Sequence, residues 1–108
     1  MSRVFIVEPP TVNVSAAENW GEVIILFEGG VPVSPLDTNQ YTGHVIHALE
    51  QAEFDSQNDK LALVGPVVST AVVVGALVVR FKSIKGLLYS ASKNEYVLRS
   101  LGKWQYPK

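Results

Sequence analysis

Leu61-Ala62-Leu63-Val64-Gly65-Pro66-Val67-Val68-Ser69-Thr70-Ala71-Val72-Val73-Val74-Gly75-Ala76-Leu77-Val78-Val79 runs for nineteen residues without a charge, between Lys60 and Arg80. Read as one helix, this stretch nearly spans a bilayer core, and Arg80, Lys82 and Lys85 follow it as a cytoplasmic flank would. Read as broken at Gly65-Pro66, it is a buried strand followed by a buried helix. Pro66 decides between them. It has no N–H to donate, it disfavours helix at the residue before it, and it is well suited to the first position of a helix after it. The uncharged stretch beyond the proline is thirteen residues long, closer to a core helix than to a span. The expected order is strand 60–64, a sharp turn at Gly65, then a helix from Pro66 to about Arg80. The single-span membrane protein is the alternative.

Working outward, the flanks fit the broken reading. Asp55-Ser56-Gln57-Asn58-Asp59 is a polar loop. Residues 84–90 and 95–101 read as two strands joined by a turn around Ala91-Ser92-Lys93-Asn94, where Asn94 suits a positive φ. On the N-terminal side, residues 3–8 form an apolar strand stopped by Pro9-Pro10. Ser15-Ala16-Ala17-Glu18 has capping-box spacing, which predicts a short helical turn ended by Gly21. Residues 22–28 are a continuous apolar run between two glutamates, suited to a strand covered on both faces. Residues 29–35 are loop by their glycines and prolines.

Asp37 or Thr38 caps a long helix over about 39–53. At 100° per residue, Tyr41, Val45, Ala48, Leu49 and Ala52 share one face and His44, His47, Glu50 and Gln51 lie opposite. The helix from Pro66 differs, because valines cover nearly its whole circumference. The expected fold is therefore one small α/β domain over residues 1–108, with a mixed sheet in the order β-β-α-β-α-β-β and one buried apolar helix. The segment from Leu61 through the helix to Leu88 is a parallel crossover. Residues 102–108 form a basic, aromatic tail.

With 108 residues the chain holds one core. The absence of cysteine excludes disulfides, a thiol nucleophile and zinc–thiolate sites, and suits a cytoplasmic protein. Residues 1–60 carry nine acids against Arg3 and Lys60, and residues 61–108 carry seven basic residues against Glu95. That asymmetry suits an anionic partner or the self-association of unlike surfaces, unless the two halves interleave in the fold.

Candidate chemistry is sparse. His44 and His47 stand three apart on a helix, a spacing that can share a metal, but a third ligand and an HExxH signature are both lacking. No metal site and no cofactor is expected. There is no GxSxG elbow, P-loop or GxGxxG. The feature with most promise is the strand–Gly–helix turn at Gly65. Ligands gather at the carboxyl ends of strands in open α/β sheets, and helix N-termini favour anions. Gly65, Ser69 and Thr70 would line such a site, with Arg80 and Lys82 adding charge. Lys103, Trp104, Tyr106 and Lys108 mix cations with aromatic faces, a pattern compatible with single-stranded nucleic acid.

In general form the chain resembles short α/β proteins carried by phages and plasmids. Over Leu61 to Leu88 its element order and Gly65 are similar to compact Rossmann-like subunits that sense or cleave cyclic oligonucleotides in CRISPR systems. That resemblance implies dimerisation through a helix and a ligand at strand ends beside the strand–Gly–helix turn. It carries over no individual functional residue.

The expected function is thus a homo-oligomeric interaction or ligand-binding module, a dimer first, holding a nucleotide or other anion at the Gly65 turn. The alternatives are a small phosphodiester- or nucleotide-acting enzyme of phage or mobile-element type, and a single-stranded nucleic-acid binder. Self-association follows from the apolar helix, since one sheet in so small a domain covers only one side of it.

Overall fold

The computed structural model describes residues 2–11, 13–34, 36–65 and 67–102, with 67–69 described in their backbone only. The chain forms β1 (Arg3–Ile6), a 3-10 helix (Ser15–Trp20), β2 (Glu22–Ile25), α1 (Thr38–Gln51), β3 (Lys60–Ala62), α2 (Val67–Phe81), β4 (Ser83–Ser90) and β5 (Glu95–Gly102). The strands make one five-stranded sheet in the order β2-β1-β3-β4-β5. β1 is parallel to both β2 and β3, β3 is parallel to β4, and β5 returns antiparallel to β4. The mixed α/β domain and its order of elements are those expected from the sequence. Among the described residues no helix is long and apolar enough to cross a membrane.

The break at Gly65 is the hinge of this arrangement. Gly65 takes φ +124°, a conformation open to glycine and strained for other residues. The chain thereby leaves β3 and enters α2 two residues later. The hairpin turn behaves likewise, with Asn94 at φ +50°.

Alternate strand residues feed two cores. On one face Phe5, Leu61 and Ile84 meet Tyr41, Val45 and Leu49 of α1, Val73 and Leu77 of α2, and Phe54. On the other, Val4, Ile6, Ala62, Leu87 and Tyr96 meet Ala17, with Val14 and Trp20 packed against them. Both long helices therefore cover one face and the 3-10 helix covers the other.

Three expectations need correction. The Ser15–Glu18 capping box does not form. Instead the Asn13 side-chain oxygen accepts from the Ser15 backbone N–H (2.9 Å) and hydroxyl (2.7 Å), doing the same job from two residues upstream. The run 22–28 is strand only to Ile25, at a sheet edge, although Leu26 and Phe27 still donate to Ile6 and Val7 carbonyls. Finally, α2 is not buried all round. Val73 and Leu77 are buried, whereas Ala71 and Gly75 are exposed and Val79 is 85% exposed. One sheet face cannot reach the far side of a helix lying on it. Of the expected tail, Gly102 ends β5 and 103–108 lie outside the described residues.

The β5 edge is partly closed. The Trp20 indole N–H donates to the Tyr96 carbonyl (3.2 Å), and the Arg99 guanidinium donates to the Leu98 carbonyl (2.8 Å). Side chains thus occupy backbone acceptors on an edge strand.

Candidate ligand-binding cleft

β1 has β2 on one side and β3 on the other, so the chain reverses direction across the sheet between β1 and β3. In an open α/β sheet such a reversal leaves a crevice at the strands' carboxyl ends, because successive connections depart to opposite sides. A cleft lies at that place here. It is lined by Val7, Glu8 and Pro9 after β1, by Leu61 to Gly65 along and after β3, by Tyr41 of α1, and by Thr70 and Val73 of α2.

The floor is apolar, built from Leu61, Leu63 and Val73, and the buried Tyr41 packs with them. Three side chains bring polar atoms to it. Glu8 is half-buried, and its Oε1 accepts from the Val31 backbone N–H at 2.8 Å. Tyr41 donates its hydroxyl to the same oxygen across 3.5 Å, a long contact. Thr70 contributes a half-buried hydroxyl. The loop carrying Val31 thus holds the Glu8 carboxylate in place over the cleft. Gly65 adds open space, since among the described residues other than its chain neighbours no atom lies within 4 Å of where a Cβ would stand. A ligand can therefore approach the backbone closely there.

The cleft volume is about 40 Å³, room for about three waters. One functional group fits inside, and the rest of any larger ligand must lie across the open rim at Gly65. Two kinds of partner meet in this geometry. Glu8 is an acceptor and calls for a hydroxyl or amino donor. The first turn of an α-helix has backbone N–H groups without intrahelical partners and the positive end of the helix dipole, and α2 starts at Val67. A ligand with a donor at one end and an anionic or acceptor group a few ångströms away satisfies both.

Of the residues expected from the sequence, Gly65 and Thr70 line this cleft. The Ser69 side chain lies outside the described residues. Arg80 and Lys82 do not join them. At 1.5 Å per residue, Arg80 stands roughly 20 Å along α2 from Val67, in its last turn. There its guanidinium pairs with Glu50 (2.9 Å) and lies over the Phe81 ring. Lys82 follows the helix at φ +70°. The charge expected from those two residues serves the opposite end of the helix. His44 and His47 face outward on α1, and among the described residues no group of three metal-ligating side chains forms. Glu8 and Tyr41 were not singled out from the sequence. The available signal for Glu8 was its place as the polar residue just past an apolar strand, ahead of Pro9-Pro10. Tyr41 reads only as a core aromatic.

No family model, curated protein or solved structure matches this chain. The chemistry of the cleft therefore carries the functional argument alone.

Proposed function

We propose that the chain is a homo-oligomeric ligand-binding module whose cleft takes a small molecule bearing both a donor group and an anionic group, a nucleotide being the best fit. The observation that carries this reading is the gathering of Glu8, Thr70 and Gly65 around one cleft at the switch point of the sheet. A hydroxyl or exocyclic amine of the ligand enters the cleft and donates to Glu8. Its phosphate rests at the rim, on the backbone near Gly65 and the first turn of α2, with the Thr70 hydroxyl as a further donor. The apolar floor excludes water from the buried end. Self-association is supported by the far side of α2, where Val79 leaves apolar surface beside the exposed Ala71 and Gly75.

Calorimetric titration of linear and cyclic nucleotides into the purified protein tests the site. At least one should bind, and Glu8→Gln and Thr70→Val should each weaken it about tenfold or more. Gly65→Val should weaken it further by filling the rim. Equal binding by all three variants, or no binding by the wild type, would remove the cleft from consideration.

A second reading rests on the same carboxylate. In that reading Glu8, a carboxylate lining the cleft, acts as general base in an enzyme working on a phosphodiester or nucleotide. Slow conversion of a bound nucleotide, abolished in Glu8→Gln while binding persists, would favour that reading over passive binding. The basic, aromatic tail invoked for single-stranded nucleic acid lies outside the described residues.

A further inference from the structure

The outer surface of the two long helices carries an open groove between α1 and α2, lined by Thr42 and Ile46 on one side and Val72, Gly75, Ala76 and Val79 on the other. We infer that a second copy of this chain seats in the groove, related by a two-fold axis that crosses it near Gly75. This rests on the self-association proposed above and specifies its face and geometry.

The two ends of the groove carry complementary groups. Glu50 of α1 pairs with Arg80 of α2, which sets the last turns of both helices side by side. The start of α1 therefore lies at the other end of the groove, where Thr38 and Asn39 line it. Just before that start are Leu36, 81% exposed, and the exposed carboxylate of Asp37. At the opposite end are Val79, 85% exposed, and the exposed cation of Lys82. Apart from the half-exposed Leu88 these are the most exposed large apolar side chains among the described residues. Neither Asp37 nor Lys82 joins a salt bridge among those residues.

A two-fold axis across the groove reverses one copy relative to the other. It brings the Leu36–Asp37 end of each onto the Val79–Lys82 end of its partner, pairing apolar with apolar and acid with base twice over. At mid-length, no described atom outside the backbone and chain neighbours of its own helix turn lies within 4 Å of a Cβ position at Gly75, so the partner backbone can approach there. At the β5 edge, one other place where a copy could pair, the Tyr96 and Leu98 carbonyls already accept from Trp20 and Arg99.

Sedimentation equilibrium across micromolar concentrations, at low salt, tests this. The wild type should dimerise. Asp37→Lys and Lys82→Asp should each raise the dissociation constant about tenfold, and the double variant should return to within about threefold of wild type. Val79→Glu should give a monomer with unchanged circular dichroism, since this side chain contacts solvent. A wild type that stays monomeric throughout would overturn both self-association and this geometry. A dimer indifferent to Val79→Glu and to both single reversals would leave self-association standing and overturn the groove as its face. Single reversals that weaken the dimer without rescue in the double variant would overturn the two-fold pairing of the ends.

Discussion

Asp59 shows how one residue ties the N-terminal strand to the helix layer. It is 1% exposed and is the buried charged residue of the described chain. Its carboxylate accepts from the Arg3 backbone N–H (3.0 Å), the Arg3 guanidinium (2.8 Å) and the Asp55 backbone N–H (2.8 Å). Arg3 in turn donates to the Ala52 and Glu53 carbonyls, which closes the C-terminal end of α1. Burial pushes the Asp59 carboxyl up, but the Arg3 guanidinium and the two backbone donors outweigh it and hold it below the ordinary carboxylate value. A group depressed in the folded state stabilises fully above its unfolded pKa of about 3.9. That contribution is lost as pH falls through the folded value. Asp59→Asn should cost about 3 kcal/mol at neutral pH, because it leaves the half-buried Arg3 cation without its partner. Urea midpoints measured from pH 6 down to pH 3 should fall more steeply for the wild type than for the variant.

At the level of elements, local chemistry in the sequence decided most of the fold. In the sequence Gly65-Pro66 marks the break, because proline disrupts a helix interior, and in the fold Gly65 supplies the turn conformation at φ +124°. Gly21 ended the 3-10 helix for a tertiary reason as well, since a Cβ there would stand 2.5 Å from the Ser2 carbonyl oxygen. What periodicity could not give was the side of α2 that faces the sheet. Valines on every side hide the direction of burial, and only the sheet beneath shows that Val73 and Leu77 point inward. This yields a contrast within one helix. In protein dilute enough to be monomeric, Leu77→Ala should cost about 3 kcal/mol. Val79→Ala should cost no more than about 0.5 kcal/mol. Comparable losses at the two positions, read by chemical denaturation, would mean that α2 is covered on both sides within one chain.

Across the whole molecule, the strand order β2-β1-β3-β4-β5 does what no local pattern announces. It sets Glu8, far in sequence from Gly65 and Thr70, into the same cleft as both. Gly65 and Thr70 were legible because they belong to one continuous strand–turn–helix unit. Glu8 was not, because its place in the cleft depends on β1 pairing beside β3. The charge layout misled for a related reason. Arg80 and Lys82 are close to Thr70 in sequence, yet a helix carries them to the other end of the domain. The two halves of the chain also interleave, as in the Arg80–Glu50 pair, so the asymmetry along the sequence is partly mixed in space. We propose that the switch-point cleft is where this protein meets its ligand. Amide chemical shifts recorded during titration with the tightest-binding nucleotide test it most directly. The largest changes are expected at Glu8, Val31, Leu63, Val64, Gly65 and Thr70, with the outer face of α1 unmoved. Changes centred on His44 and His47 or on β5, with those six amides still, would contradict it.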